Sequence, residues 1–166
     1  TGGAGVQADL KAIAAAGGYG MSVTTALVAQ NTQGVREIHT PPQSFLRAQL
    51  DAVFDDVAVD AVKVGMLGDT ETTHTVADYL AVRPVPVVVV DPVMVATSGD
   101  RLLSADAEAA LRQLVADHAT VVTPNIPELA LLTDEPEPDS FDAAVELGQR
   151  YAREADVQVL VKGGHL

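Results

Sequence analysis

Cysteine is absent from the 166-residue sequence. Neither a disulfide nor a thiolate zinc site can therefore be built, and the chain suits a reducing compartment, so a cytoplasmic location is expected. Tryptophan is also missing, and aromatic residues make up only 4%. The core must come from small and aliphatic side chains, which suits helices packed closely on a sheet. Positive charge is scarce: 10 Lys and Arg stand against 23 Asp and Glu, a net charge of −13. Such a surface argues against nucleic acid or an anionic membrane as partner. The opening residues do not read as a signal peptide, and no apolar run has membrane-spanning length. Gly-x-x-x-x-Gly-Lys-Ser/Thr does not occur, which argues against a P-loop. Gly-x-Ser-x-Gly is absent too, so nothing points to a serine hydrolase. His39, His74, His118 and His165 are scattered and share no ligand spacing. No internal repeat or second domain is visible, so residues 1–166 are expected to form a single domain.

What is present is a hydrophobic content of 48%, enough to fold. The most informative stretch is Val87-Val88-Val89-Val90-Asp91-Pro92-Val93-Met94. Four valines in a row predict a strand buried on both faces, as in a parallel sheet. Proline then stops the ladder. An acid at the carboxyl end of such a strand stands where open α/β sheets bind ligands. Val121-Val122-Thr123-Pro124-Asn125 and Val159-Leu160-Val161-Lys162-Gly163-Gly164 have the same character. Three strands thus bring Asp91, Asn125 and Lys162 to one rim, a set able to manage a phosphate and its metal.

Helices and strands alternate along the remainder. Helices are predicted over about 7–16, 40–55, 69–82, from the Ser104 cap onward, 126–132 and 141–154. Strands are predicted over 22–29, 61–66, 87–90, 121–123 and 157–162. In the second helix Phe45, Leu46, Gln49, Leu50, Val53 and Phe54 are spaced for one buried stripe with a polar intruder. The alternation implies an α/β fold with a parallel sheet, helices on both faces and right-handed crossovers.

Several shorter patterns carry chemistry, each beside a plainer explanation. Gly2-Gly3-Ala4-Gly5 before a helix lets backbone N–H groups approach a polar ligand, or is a flexible turn with Asp9 near the helix start. Gln30-Asn31-Thr32 offers amides that suit a heteroaromatic ring, or is an ordinary polar turn. Met66 in Gly65-Met66-Leu67-Gly68 lies on a ligand ring or in the core. Asn125 and Glu128 form a near capping box, or sit by phosphates and a magnesium-bound water. Lys162 is either solvated or the point charge for a phosphate.

Taken in order, these segments resemble the hydroxymethylpyrimidine/phosphomethylpyrimidine kinases of thiamine biosynthesis, within the ribokinase-like superfamily. The motifs are Gly2-Gly3-Ala4-Gly5-Val6-Gln7-Ala8-Asp9-Leu10-Lys11, Ala29-Gln30-Asn31-Thr32, Val64-Gly65-Met66-Leu67 and Asp91-Pro92-Val93-Met94-Val95. Ser98-Gly99-Asp100, Thr123-Pro124-Asn125-Ile126-Pro127-Glu128 and Leu160-Val161-Lys162-Gly163-Gly164-His165 complete the series, which covers essentially the whole chain.

The resemblance implies a three-layer αβα ribokinase-like fold with a mostly parallel central sheet. It implies ATP-dependent phosphorylation of 4-amino-5-hydroxymethyl-2-methylpyrimidine and then of its monophosphate. Asp9, Gln30, Met66 and Val93 match the family's pyrimidine site. Asp91, Asn125, Glu128 and Lys162 match the residues that manage ATP phosphates, with Asp91 and Glu128 on Mg2+. A homodimer is the family's assembly. Three departures stand out. The family has a strand and a Gly-Ser-Asp-Ser-like segment ahead of the glycine cluster. It also has a later glycine-rich loop, forming the anion hole and carrying a catalytic Cys or Asp, that would lie beyond Leu166. Thr97 stands where a lysine is common. An incomplete kinase, with an exposed sheet edge, is therefore expected. The alternatives are a pyridoxal or pyridoxine kinase of the same superfamily, and a noncatalytic pyrimidine-binding module.

Overall fold

The valine run forms β4 (Val87–Val90), the second strand of a four-stranded parallel sheet. The computed structural model describes residues 2–31, 33–94 and 103–163. Thr32, Val95, Thr97, Ser98-Gly99-Asp100, Gly164-His165 and Leu166, all invoked above, lie outside the described residues. The sheet order is β3 (Ala61–Val64), β4, β5 (Val121–Val122), β6 (Gln158–Val159). Val64 pairs with Val90, Val90 with Val122, and Val122 with Val159, so all four share one face. Val64, Val88, Val90 and Val122 are buried in the main core.

Strands that follow one another in order across a parallel sheet take their right-handed crossovers on the same side. α3 (Thr70–Val82) and α4 (Ala105–His118) accordingly pack on each other, and Leu80, Leu111, Leu114 and Val115 share the core with those valines. α5 (Ile126–Thr133) packs on α6 (Phe141–Ala155), and Gly148 of α6 lies under Val159 and Val161. A Cβ at Gly148 would come within 2.7 Å of Val161 Cγ2. The expectation that all four valines of β4 are buried on both faces is corrected here. Val88 and Val90 are buried, Val89 is half-buried and Val87 is exposed. Lys63 lies on the face opposite Val62 and Val64, and its ammonium meets Asp9 of α1 (Gly5–Ala15). That helix has no fully buried residue.

The predicted strand over 22–29 lies further along the chain. β1 (Leu27–Asn31) pairs antiparallel with β2 (Gly34–His39), with a register shift at Ala29/Gln30. This hairpin was not predicted, because every residue of β2 is exposed and no face imposes a two-residue hydrophobic period. The preceding stretch is fastened by side chains instead. Gln49 Oε1 accepts from Thr24 N at 2.9 Å and Gln49 Nε2 donates to Thr24 O at 3.2 Å. Thr25 Oγ1 donates to Met66 O at 2.7 Å. The polar intruder of α2 (Gln43–Phe54) is thus a backbone clasp. On the same helix Leu46 and Leu50 are buried, but Phe45 is 58% exposed and leaves the expected stripe. It sits one position ahead of Leu46, and that step of about 100° carries it off the core face. Phe54 stays inward and meets Tyr79 edge-on, with ring centroids 5.2 Å apart.

Helix ends follow ordinary chemistry. Asp69 accepts from Thr72 N at 2.7 Å, and Ser104 accepts from Ala107 N at 3.4 Å. Regular β6 pairing covers only two residues, fewer than predicted. The chain nevertheless keeps tracking β5: Leu160 N donates to Val122 O, Lys162 N donates to Pro124 O, and Asn125 bridges Lys162 in parallel. Pro92 and Pro124 each lie two residues beyond the paired Val90 and Val122, and both are fully buried.

Candidate active site

The carboxyl ends of β3, β4 and β5 are locked level with each other. Asp91 N donates to Val64 O at 2.8 Å, and Thr123 N donates to Val90 O at 3.0 Å. The residues just past the strands therefore emerge together. Asp91 is the centre of what they form. Its Oδ1 receives Lys162 Nζ at 2.7 Å and Thr123 Oγ1 at 3.3 Å. Its Oδ2 lies 3.6 Å from Lys63 Nζ. That ammonium also reaches both oxygens of Asp9, at 3.0 and 3.1 Å. At the other end Lys162 Nζ is 3.7 Å from Glu128 Oε2. Five charges alternate in sign along the rim: Asp9, Lys63, Asp91, Lys162, Glu128.

Asn125 and Glu128 complete the predicted capping box. Asn125 Oδ1 accepts from Glu128 N and Glu128 Oε2 accepts from Asn125 N, both at 2.8 Å. The Glu128 side chain is only 4% exposed. Burial pushes its carboxyl above the ordinary range, against the opposing pull of the Asn125 N–H and the Lys162 ammonium. The plain and the functional readings of this motif coexist, since capping occupies one oxygen and fixes the direction of the carboxyl.

The donor set suits a hard cation accompanied by phosphate. Asp91 and Glu128 both lie within 4 Å of one ammonium and present oxygen ligands. Magnesium takes one or two protein carboxylates and completes its shell with phosphate and water. Among the described residues no group of three or more His, Asp or Glu side chains is gathered for an all-protein metal site. Lys162, with 41% of its side chain exposed, can be reached by an anion.

The residues named for a ring ligand are more spread. Asp9 joins the cluster through Lys63. Gln30 is exposed on β1, Met66 is half-buried beyond β3, and Val93 is half-buried two residues after Asp91. Beside Asp9 and Lys63 opens a cavity of about 270 Å³, lined also by Leu10, Ile13, Val62 and Gly65. Two members of the cluster escaped the sequence reading, Lys63 and Thr123. The signal for Lys63 was a lone charge at the alternating position of Ala61-Val62-Lys63-Val64.

Comparison with known proteins gives this geometry its setting. The sequence profile of the phosphomethylpyrimidine kinase family matches residues 1–166. The chain belongs to that family. The thiamine biosynthesis multifunctional protein ThiED of Corynebacterium efficiens is 61% identical over all of this chain, which spans 22% of that protein. The hydroxymethylpyrimidine/phosphomethylpyrimidine kinase of Escherichia coli is 46% identical over all of the chain, which spans 62% of its length. The crystal structure of the phosphomethylpyrimidine kinase from Clostridium difficile superposes with a TM-score of 0.89 at 39% identity, covering 99% of this chain and 71% of that one. The expected ribokinase-like α/β fold is therefore met, and the chain accounts for less than two thirds of the curated kinases' length. No helix among the described residues is long and apolar enough to cross a membrane.

Proposed function

We propose that the protein carrying this chain is an ATP-dependent kinase of thiamine biosynthesis. It phosphorylates 4-amino-5-hydroxymethyl-2-methylpyrimidine and then the resulting monophosphate. The observation that carries this reading is the Lys162–Asp91 contact of 2.7 Å at the carboxyl rim of a parallel sheet, inside a chain matched end to end by this kinase family.

Phosphoryl transfer asks chiefly for positioning and charge neutralisation. Lys162 is the mobile positive charge. Asp91 balances it in the free protein, and a nucleotide phosphate takes it over. Asp91 and Glu128 are then the carboxylates that hold Mg2+, directly or through water, while Asn125 lies beside the phosphates. Bound magnesium neutralises charge on the phosphates. Thr123 keeps Asp91 oriented by donating to Oδ1.

At the acceptor end, Asp9 and Gln30 supply polar partners for the aminopyrimidine, and Met66 and Val93 supply apolar surface. Residues 1–166 belong to a single kinase domain on this reading. The enzyme acts in the cytoplasm as a homodimer. Leu27, Val35 and Ile38, all about half exposed on the hairpin, are available for such an assembly.

The test is phosphate transfer from ATP to the hydroxymethylpyrimidine by the full-length protein. Turnover of pyridoxal with none of the aminopyrimidine would replace this reading by the pyridoxal kinase one. Tight pyrimidine binding without ATP consumption would replace it by a noncatalytic module.

A further inference from the structure

Among the described residues, Lys63 is the one link between the two halves of the cluster. Its ammonium chelates Asp9 at 3.0 and 3.1 Å and stands 3.6 Å from Asp91 Oδ2. One carboxylate belongs to the first helix and the other to the end of β4. A single cation is therefore shared between a near and a far acid, with the near one favoured by geometry. Resting on the kinase reading above, we infer that Lys63 is a positioning residue coupling the pyrimidine half-site to the phosphate half-site.

The chemistry of the sharing sets the sign of the coupling. Asp9 holds the ammonium with both oxygens when no ligand competes. An aminopyrimidine donates hydrogen bonds to the same carboxylate. Those bonds weaken the hold of Asp9 on Lys63, and the ammonium moves toward Asp91 and the anionic ligand beside it. Pyrimidine binding thereby tightens nucleotide binding, and linkage makes the effect reciprocal. The position of Lys63 favours this transfer. Its side chain is 32% exposed, so it is not clamped by packing. Its backbone sits in register opposite Val89, two residues before Asp91, so the tether is rigid where it starts. Helix α1 has no fully buried residue, and the Asp9–Lys63 pair is a polar contact between that helix and the sheet.

The test is calorimetry on the full-length protein. A nonhydrolysable ATP analogue is titrated with and without saturating hydroxymethylpyrimidine. In the unmodified protein the pyrimidine is expected to tighten the analogue about fivefold or more. In Lys63→Met the ratio is expected to fall to about one, and Lys63→Arg, which keeps the charge, restores part of it. A purely structural role is separated by melting temperature. A half-exposed pair contributes little to stability, so Lys63→Met is expected to melt within about 3 °C of the unmodified protein. Asp9→Asn breaks the same link from the other end. There the analogue is expected to bind tightly whether or not pyrimidine is present. Full coupling in Lys63→Met, or no coupling in the unmodified protein, overturns the inference. An unmodified protein that binds neither ligand overturns the kinase reading itself.

Discussion

The ammonium of Lys162 lies 2.7 Å from Oδ1 of Asp91, a residue 71 positions away in the chain. The contact is made possible by backbone pairing: Lys162 N donates to Pro124 O, and Asp91 N donates to Val64 O. Two strand ends therefore fix both partners before either side chain is considered. On the proposed function, Lys162→Ala in the full-length protein is expected to raise the KM for ATP about tenfold to a hundredfold, the worth of one charge-assisted hydrogen bond. The KM for the pyrimidine should move by less than about threefold. Steady-state kinetics with each substrate varied in turn checks this. An equal rise in both constants, with the melting curve unchanged, would remove Lys162 from the phosphate role.

Glu128 gives a pH signature. Its folded-state carboxyl is raised, with burial as the main cause. As pH climbs, the unfolded chain releases this proton first while the folded protein still holds it. Stability therefore falls from the ordinary carboxylate pKa up to the raised folded value, and the deficit is constant above that window. Glu128→Gln keeps an oxygen for the Asn125 N–H and carries no charge. Its melting temperature should gain on that of the unmodified protein as pH rises above the ordinary glutamate pKa of about 4. A difference independent of pH would show that Glu128 is not a source of the decline.

Gly148 tests how packing holds the rim. An added Cβ would lie 2.7 Å from Val161 Cγ2, next to Lys162. Valine is stiff at χ1 and cannot swing away freely. Gly148→Ala is expected to cost about 1–3 kcal/mol in denaturant unfolding and to weaken nucleotide binding. Normal stability with normal nucleotide affinity would mean that α6 moves aside at no cost.

Gln49 tests the clasp on the segment before the hairpin. Gln49→Leu removes both bonds to Thr24 and leaves that half-buried amide and carbonyl to find water. A loss of about 1–3 kcal/mol is expected, with faster hydrogen exchange at Thr24. Unchanged exchange there would show that the segment is held by its other contacts.

The sequence was most readable where short-range chemistry decides. The Ser104 cap, the Asn125–Glu128 box and the strand ends at Asp91 and Asn125 depend on neighbours within a few residues, and each stands where it was predicted. Phe45 was misread because spacing defines a stripe only to within one position. The hairpin was missed because β2 is exposed on both sides and leaves no pattern to detect. Val87 was misread because a run of four valines does not say which face is covered, and the order of the strands decided that. The pairing of Lys63 was hidden for another reason. Its partners are 54 residues upstream and 28 downstream, and no local rule reaches either.

Pro92 and Pro124, each buried just past its strand, have a consequence for how this fold can change. An imino acid has no hydrogen to offer, so neither residue can donate a rung of its own. The floor of the crevice is thereby cut to one height. Variation is then free to alter the loops above it, while a single inserted residue below either ring would drop one acid out of line with the other.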